Sequence, residues 1–255
     1  MTRTVLAIGA HIGDMDLTAG PTLAKLALEG AGVTIVALTP GERGHPRLTP
    51  AEYKKQKIAE GSAFAEAIGA DFMVFDQSDG FLPDTDDVAL ELARVIREKQ
   101  PDTIITHWKH SIHRDHEHAA SLSERARFLA GLPMDPSTSP DPSQHSSQDP
   151  SQHPELVRKL AALPRHGVRS FLHAENWEDM EGFHPTQYVP IPDEAFYRWI
   201  SAIRHQAFAR GETYGFRYID YYTALMTTRG CLAGYPRATA FHSNPTPEIT
   251  KLAGP

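Results

Sequence analysis

Thr4-Val5-Leu6-Ala7-Ile8-Gly9-Ala10-His11-Ile12-Gly13-Asp14-Met15-Asp16 is a compact apolar run that stops abruptly at polar, bendable residues. An unbroken apolar run ending in small residues suits a central strand of a parallel sheet, buried on both faces. Moving outward, residues 17–29 carry helical periodicity through Leu17, Leu23, Leu26 and Ala27 and end at Gly30 and Gly32, which stop helices. Residues 33–38 form a second β-branched run. Thr49-Pro50-Ala51-Glu52 then offers an N-cap threonine, proline at the first helical position and an acid in the first turn. That helix is predicted to reach Ile68 and stop at Gly69. Strands are expected at residues 72–75 and 103–106, with a helix over 87–99 between them. A further helix is read over 117–129, a strand over 170–174 and an amphipathic helix over 193–209. Strand and helix alternate four times, which implies right-handed βαβ units and a mostly parallel α/β sheet.

The chain has 255 residues, enough for one domain with a sizeable core. A formal charge of −7 argues against nucleic acid or an anionic membrane as the main partner, since both require clustered Lys and Arg. The single cysteine, Cys231, rules out an internal disulfide or a thiolate cluster and fits a reducing cytoplasm. The N-terminal apolar run lacks a cleavage site and reads as a strand, not a signal peptide. Residues 134–154 break the pattern: Asp-Pro-Ser-Gln-His occurs at Asp141 and again at Asp149, in a stretch too poor in apolar residues to offset its ordering entropy. These residues are expected to be a flexible surface insertion within a single domain, 1–255.

Ligands of open parallel sheets bind beyond the carboxyl ends of the strands. Two of the segments placed there are rich in metal-type ligands. In the first, His11 and Asp14 stand three apart on a strand-to-helix turn, with Gly13 letting the backbone bend between them. The plainer alternative is that Asp14 or Asp16 merely caps the following helix. A phosphate loop is disfavoured, because Gly9 and Gly13 do not make G-x-G-x-x-G. The second segment, His107-Trp108-Lys109-His110-Ser111-Ile112-His113-Arg114-Asp115-His116-Glu117-His118, follows the fourth strand and opens a helix. His113-x-Asp115-His116 can aim one imidazole at a metal and another at substrate, with Asp115 fixing a ring tautomer. His107, His110 and His118 are not expected to be ligands. His, Asp and His with an open fourth position is the donor set of a hydrolytic zinc site.

These motifs resemble those of the LmbE-like, or PIG-L, metal-dependent N-deacetylases. Ala10-His11-Ile12-Gly13-Asp14-Met15-Asp16 is similar to the family's Ala-His-Pro-Asp-Asp-x-Glu, and His113-Arg114-Asp115-His116 to its His-Pro-Asp-His. Thr39-Pro40-Gly41-Glu42-Arg43-Gly44 resembles its Thr-x-Gly-Glu-x-Gly loop, and Ala174-Glu175-Asn176-Trp177-Glu178-Asp179 resembles its bacterial branch. The resemblance implies a three-layer, Rossmann-like fold with the metal site at the C-terminal strand ends. It implies Zn2+, or another divalent metal, on His11, Asp14 and His116. It makes His113 the second catalytic histidine and Asp115 the acid that orients it. It also puts Arg43 in a loop that contacts substrate; Glu42 and Trp177 are further candidates for contacting an N-acetylated sugar conjugate, and a homo-oligomer is left open.

One position departs from that pattern. The aspartate that serves as general base in the family is Gly13 here. A positioned base contributes roughly 10²–10⁴-fold, so the resemblance implies an N-acyl hydrolase with weakened turnover unless Asp16, His113 or Glu42 takes over. The alternative is a metal-binding homologue, catalytically impaired, that holds a sugar-like ligand. Trp108, Trp177, Phe183 and Tyr188 either stack on a sugar or pack the core. The aromatic run over 214–222 is either a subunit interface or a wall of the site.

Overall fold

The computed structural model describes residues 3–134, 153–179 and 181–243. Its centre is β1 (Thr4–His11), the strand read first from the sequence. Because successive side chains point to opposite faces, Val5 and Ala7 enter one apolar cluster while Leu6 and Ile8 enter the other. From Val5 to Ala10 the strand is buried and carries no polar side chain, and the next polar group is His11 at its end.

β1 pairs in parallel with β2 (Gly32–Thr39) on one side and with β4 (Thr103–Thr106) on the other. The whole sheet has seven strands in the order β3-β2-β1-β4-β5-β7-β6, where β3 is Asp71–Val74, β5 Ser170–Ala174, β6 Gln187–Pro190 and β7 Ala238–His242. Five strands are parallel, and β7 turns antiparallel to β5 and β6. The chain leaves β1 towards β2 and β3, then crosses back to β4. A crevice therefore opens beyond the carboxyl ends of β1 and β4, the switch point where such sheets bind ligands.

Helices cover both faces. On one lie α1 (Asp14–Thr18), α2 (Gly20–Leu28), α3 (Pro50–Ile68), α7 (Asp193–Ile203) and α8 (Tyr218–Ala233). On the other lie α4 (Asp86–Lys99), α5 (Arg114–Gly131) and α6 (Pro154–Ala161). The expected start of α3 forms a complete capping box: Glu52 N–H donates to Thr49 Oγ1, and Thr49 N–H donates to the Glu52 carboxylate at 2.9 Å. No helix among the described residues is long and apolar enough to cross a membrane.

Several elements differ from the sequence reading. The helix expected over 17–29 is broken at Ala19, so that the Trp199 indole can donate to Asp16 O at 2.7 Å. Gly20 sits at that crossing, where a Cβ would lie 2.8 Å from the indole. α7 stops at Ile203, and residues 204–213 consist mostly of turns. α6, α8, β6 and β7 were not anticipated. The twice-repeated Asp-Pro-Ser-Gln-His stretch lies, apart from its edges, outside the described residues.

Candidate metal centre and substrate cavity

His11 is the last residue of β1, and its backbone N–H donates to Asp14 Oδ2 at 2.7 Å. This bond closes the strand-to-helix turn across Gly13, whose φ is +106°. Asp14 thereby holds the turn and turns one oxygen towards three imidazoles. Its Oδ2 lies 3.3 Å from His11 Nδ1, 3.0 Å from His107 Nε2 and 3.6 Å from His116 Nε2. His116 comes from the first turn of α5. His11, Asp14 and His116 each bring a ligand atom within 4.8 Å of the others. The structure thus brings together the three residues that the sequence marked.

Both histidines are held from behind. His11 Nε2 lies 3.1 Å from Asp79 Oδ1 and 3.3 Å from Asp115 Oδ2, leaving Nδ1 towards Asp14. His116 Nδ1 lies 3.1 Å from Asp179 Oδ1, leaving Nε2 towards Asp14. A carboxylate behind each imidazole fixes its orientation and makes it a better donor, as at protein metal centres. Two imidazoles, one carboxylate and such backing fit a divalent cation.

The electrostatics agree with a site short of positive charge. Burial alone would lower the pKa of His11, yet Asp14, Asp115 and Asp79 hold it well above the usual histidine range. Burial would raise Asp14, but His11 and His116 keep it well below the ordinary carboxylate range. His107, buried between Asp14 and Asp179, is pushed up to about 9 by those carboxylates against its desolvation. His116 falls to about 4 through burial and the neighbouring charge of His107.

A cavity of about 420 Å³ opens on these residues. Its lining includes His11, Asp14, Asp79, His113, His116, Trp177, Glu178, Phe208, Tyr214 and Tyr218. His113 caps α5, and its Nδ1 accepts the Asp115 N–H at 3.3 Å. Its neutral ring therefore carries its proton on Nε2. Burial and the charge on His11 lower its pKa, which keeps the ring neutral. Trp177 stacks on Phe216, with centroids 5.2 Å apart. Tyr214 and Tyr218 make the aromatic run a wall of this cavity.

Other expected site residues take different positions. Among the described residues no hydrogen bond joins the Asp115 carboxylate to the His113 ring, although a ligand atom of each lies within 4.8 Å of the other. Asp115 Oδ2 accepts from Gly80 N–H at 2.7 Å and its Oδ1 from Leu82 N–H at 3.3 Å, so it orients His11 and the loop after β3. Asp16 is buried away from the cavity lining, where its Oδ2 accepts from Gln206 Nε2 at 2.7 Å. Burial raises its pKa against the pull of Lys57 and Gln206. Glu42 accepts from Asp79 N–H at 3.1 Å, and Arg43 donates its backbone N–H to Asp79 Oδ2 at 2.9 Å. These two residues shape the Asp79 loop, and neither lines the cavity. The Arg43 guanidinium rests over Phe81 at the surface.

The sequence analysis set His107 aside as a ligand, yet it forms a second group with His116 and Asp179 whose ligand atoms lie within 4.8 Å of one another; Asp79, Lys57, Glu178 and Asp179 were not marked as parts of the site. Asp79 and Asp179 each carried a signal, lying beyond a strand end in Ser78-Asp79-Gly80 and Trp177-Glu178-Asp179. Lys57 carried none, since it sits mid-helix among other charged residues.

Residues 6–127 match the family model described as PIG-L: GlcNAc-PI de-N-acetylase. Over these residues, just under half of the chain, the protein is similar to the PIG-L family. The 4-oxalmesaconate hydratase of Pseudomonas putida is 32% identical over 136 residues, 50% of this chain and 53% of that protein. The 1D-myo-inositol 2-acetamido-2-deoxy-alpha-D-glucopyranoside deacetylase of Thermobispora bispora is 31% identical over 170 residues, 54% of this chain and 56% of that protein. The chain thus spans about half the length of these curated relatives. Among solved structures, the 4-carboxy-2-hydroxymuconate hydratase GalB from P. putida KT2440 matches with a TM-score of 0.77 at 22% identity, over 96% of this chain and 98% of that one. The N,N'-diacetylchitobiose deacetylase of Pyrococcus horikoshii matches with a TM-score of 0.73 at 20% identity, over 95% and 84%. At these identities the structural likeness establishes the fold.

Proposed function

We propose that this protein is a divalent-metal hydrolase of the PIG-L type that removes an N-acyl group from a small amide, with N-acetylated amino-sugar conjugates as the first class to test. The convergence of His11, Asp14 and His116 at the cavity, each imidazole backed by a carboxylate, carries this reading. Zinc is the metal favoured by two imidazoles and one carboxylate, and when bound it supplies Lewis acidity to an acyl carbonyl and to water.

The chain's own groups complete the chemistry. His113 presents Nε2–H to the cavity and donates to the acyl oxygen or to the departing amine. Gly13 offers no carboxylate, and Asp16 does not line the cavity, so the proton acceptor is sought elsewhere. Glu178 is the candidate: it lines the cavity, with Oε2 3.7 Å from His116 Nδ1. Trp177 and Tyr218 give the substrate an aromatic wall.

A second reading is a reaction other than amide hydrolysis on the same metal. It is favoured by the hydratase among the relatives and by Gly13, where the resemblance puts the base. Water addition to a carbon–carbon double bond needs a proton donor and a Lewis acid at similar places. The sugar-binding homologue without turnover is the third. Zinc-loaded protein incubated with N-acetylglucosaminyl-inositol and with N,N'-diacetylchitobiose separates these. Acetate release that disappears in His113→Ala and falls at least tenfold in Glu178→Gln supports the hydrolase. No acetate from either compound at high enzyme concentration contradicts it.

A further inference from the structure

Lys57, on α3, is buried, yet it reaches the cavity lining. Among the described residues its ammonium has one hydrogen-bond acceptor, Gln206 Oε1 at 3.1 Å, and forms no ion pair. It also lies 4.0 Å from the centroid of the Phe208 ring. Asp16 is the nearby acid that could close on it, but Gln206 stands between them, its amide nitrogen donating to Asp16 Oδ2 at 2.7 Å. Glu60 and Asp16 offset the charge only from a distance. Lys57 is the one lysine or arginine among the cavity-lining residues.

Gly13 and Phe208 explain why the ammonium is there. A Cβ at position 13 would fall 2.6 Å from the Phe208 ring and 3.1 Å from Lys57 Nζ. The space a side chain at position 13 would fill is therefore taken by an aromatic ring and a positive charge. An acid at the base position would have paired with Lys57. With glycine in its place, the lysine keeps donors unused in a water-poor corner. A buried ammonium with spare N–H groups gains most from an anion, because charge-assisted hydrogen bonds are about twice as strong as neutral ones.

We propose that Lys57 anchors a carboxylate of the substrate, so that the cavity takes small acidic molecules in preference to neutral ones. The proposal rests on the reading of this cavity as the substrate site, but not on which bond is broken there. It names a specificity-determining residue and requires no covalent step.

Two probes isolate the anion: N-acetylglycine and N-acetylglycinamide share the acetamide and differ only in carboxylate against carboxamide. Binding of each to zinc-loaded protein is measured by calorimetry for wild type and Lys57→Met. Wild type is expected to prefer N-acetylglycine by about 10- to 100-fold, and Lys57→Met to lose that preference while holding N-acetylglycinamide and zinc unchanged. Equal affinities in wild type, or a parallel loss for both probes in the variant, would overturn the proposal. Should Lys57→Met fail to fold, side-chain NMR of lysine-labelled wild type decides: the Lys57 signals shift on adding N-acetylglycine and not the amide, and an unmoved signal overturns the idea. A lysine-dependent preference without any amide hydrolysis would sink the hydrolase and leave this proposal standing. Hydrolysis without the preference would do the reverse.

Discussion

At the residue scale, the chemistry turns on what surrounds each ionisable group, and local sequence reveals only part of that. His11, Asp14 and His116 were legible because a strand end and a helix start put them at predictable places. Asp115 was legible as a partner of a histidine, and from the first turn of α5 its carboxylate bonds the loop after β3 and His11, with the His113 ring within 4.8 Å but not hydrogen-bonded to it. Lys57 and Gln206, 149 residues apart, were beyond any local pattern. Gly13 is itself a test. Its φ is positive, and a Cβ added there would meet the Phe208 ring at 2.6 Å. Gly13→Ala should therefore destabilise the protein by about 1–3 kcal/mol in urea unfolding. Gly13→Ala with Phe208→Leu should recover part of that loss, and a neutral single substitution would contradict this packing. A second test uses His173 on β5. Its Nδ1–H donates to His107 O at 2.6 Å, while burial lowers its pKa despite Glu124 nearby, with Lys109 and His242 also facing it. A depressed histidine adds stability above its unfolded pKa near 6.5 and loses it as the pH falls through the folded value. His173→Asn keeps a donor and cannot titrate, so its stability relative to wild type should improve on acidification below pH 6.5. A pH-independent difference in melting temperature would contradict this.

At the scale of elements, the parallel strands and α3 were readable because their signals are local: apolar runs for β1 and β2, and a capping box with a glycine stop for α3. α8 was missed because its buried residues, Tyr222, Met226 and Gly230, form one narrow stripe in a run of aromatic and threonine residues. β6 and β7 are short and take their identity from pairing with each other, which no local pattern encodes. One buried side chain ties three helices together. Arg97 on α4 donates to Ala130 O at 3.0 Å, Leu160 O at 2.6 Å, Leu163 O at 3.2 Å and also to Leu132 O. It therefore closes the chain ends on both sides of the 134–154 stretch. Arg97→Met preserves much of the volume but leaves those carbonyls without their donor. A loss of the order of 3 kcal/mol is expected in urea unfolding, since hydrogen bonds to a charged group contribute about 1.5–3 kcal/mol each and neighbours relax. A change below about 1 kcal/mol would mean that water replaces the guanidinium freely.

At the scale of the whole molecule, sheet order explains why the site exists where it does. The crossover from β3 to β4 opens the crevice, β1 and the segment after β4 supply the ligands, and the α7–α8 region closes the cavity with Phe208, Tyr214 and Tyr218. The match to the PIG-L family model covers the part of the chain that carries the ligands, whereas the aromatic wall lies outside it. The wall is where substrate preference should diverge among relatives. A cation bound only by the folded state stabilises it by mass action, about 2.7 kcal/mol at a hundredfold excess over its dissociation constant. The central claim, that His11, Asp14 and His116 form one metal centre, is tested most directly by metal content per chain. Elemental analysis after zinc loading and dialysis should give one ion per chain for wild type. It should give well under a tenth of that for His11→Ala, Asp14→Asn and His116→Ala, each still folded by circular dichroism. A wild type that retains no divalent metal, or folded variants that keep a full equivalent, would contradict the account.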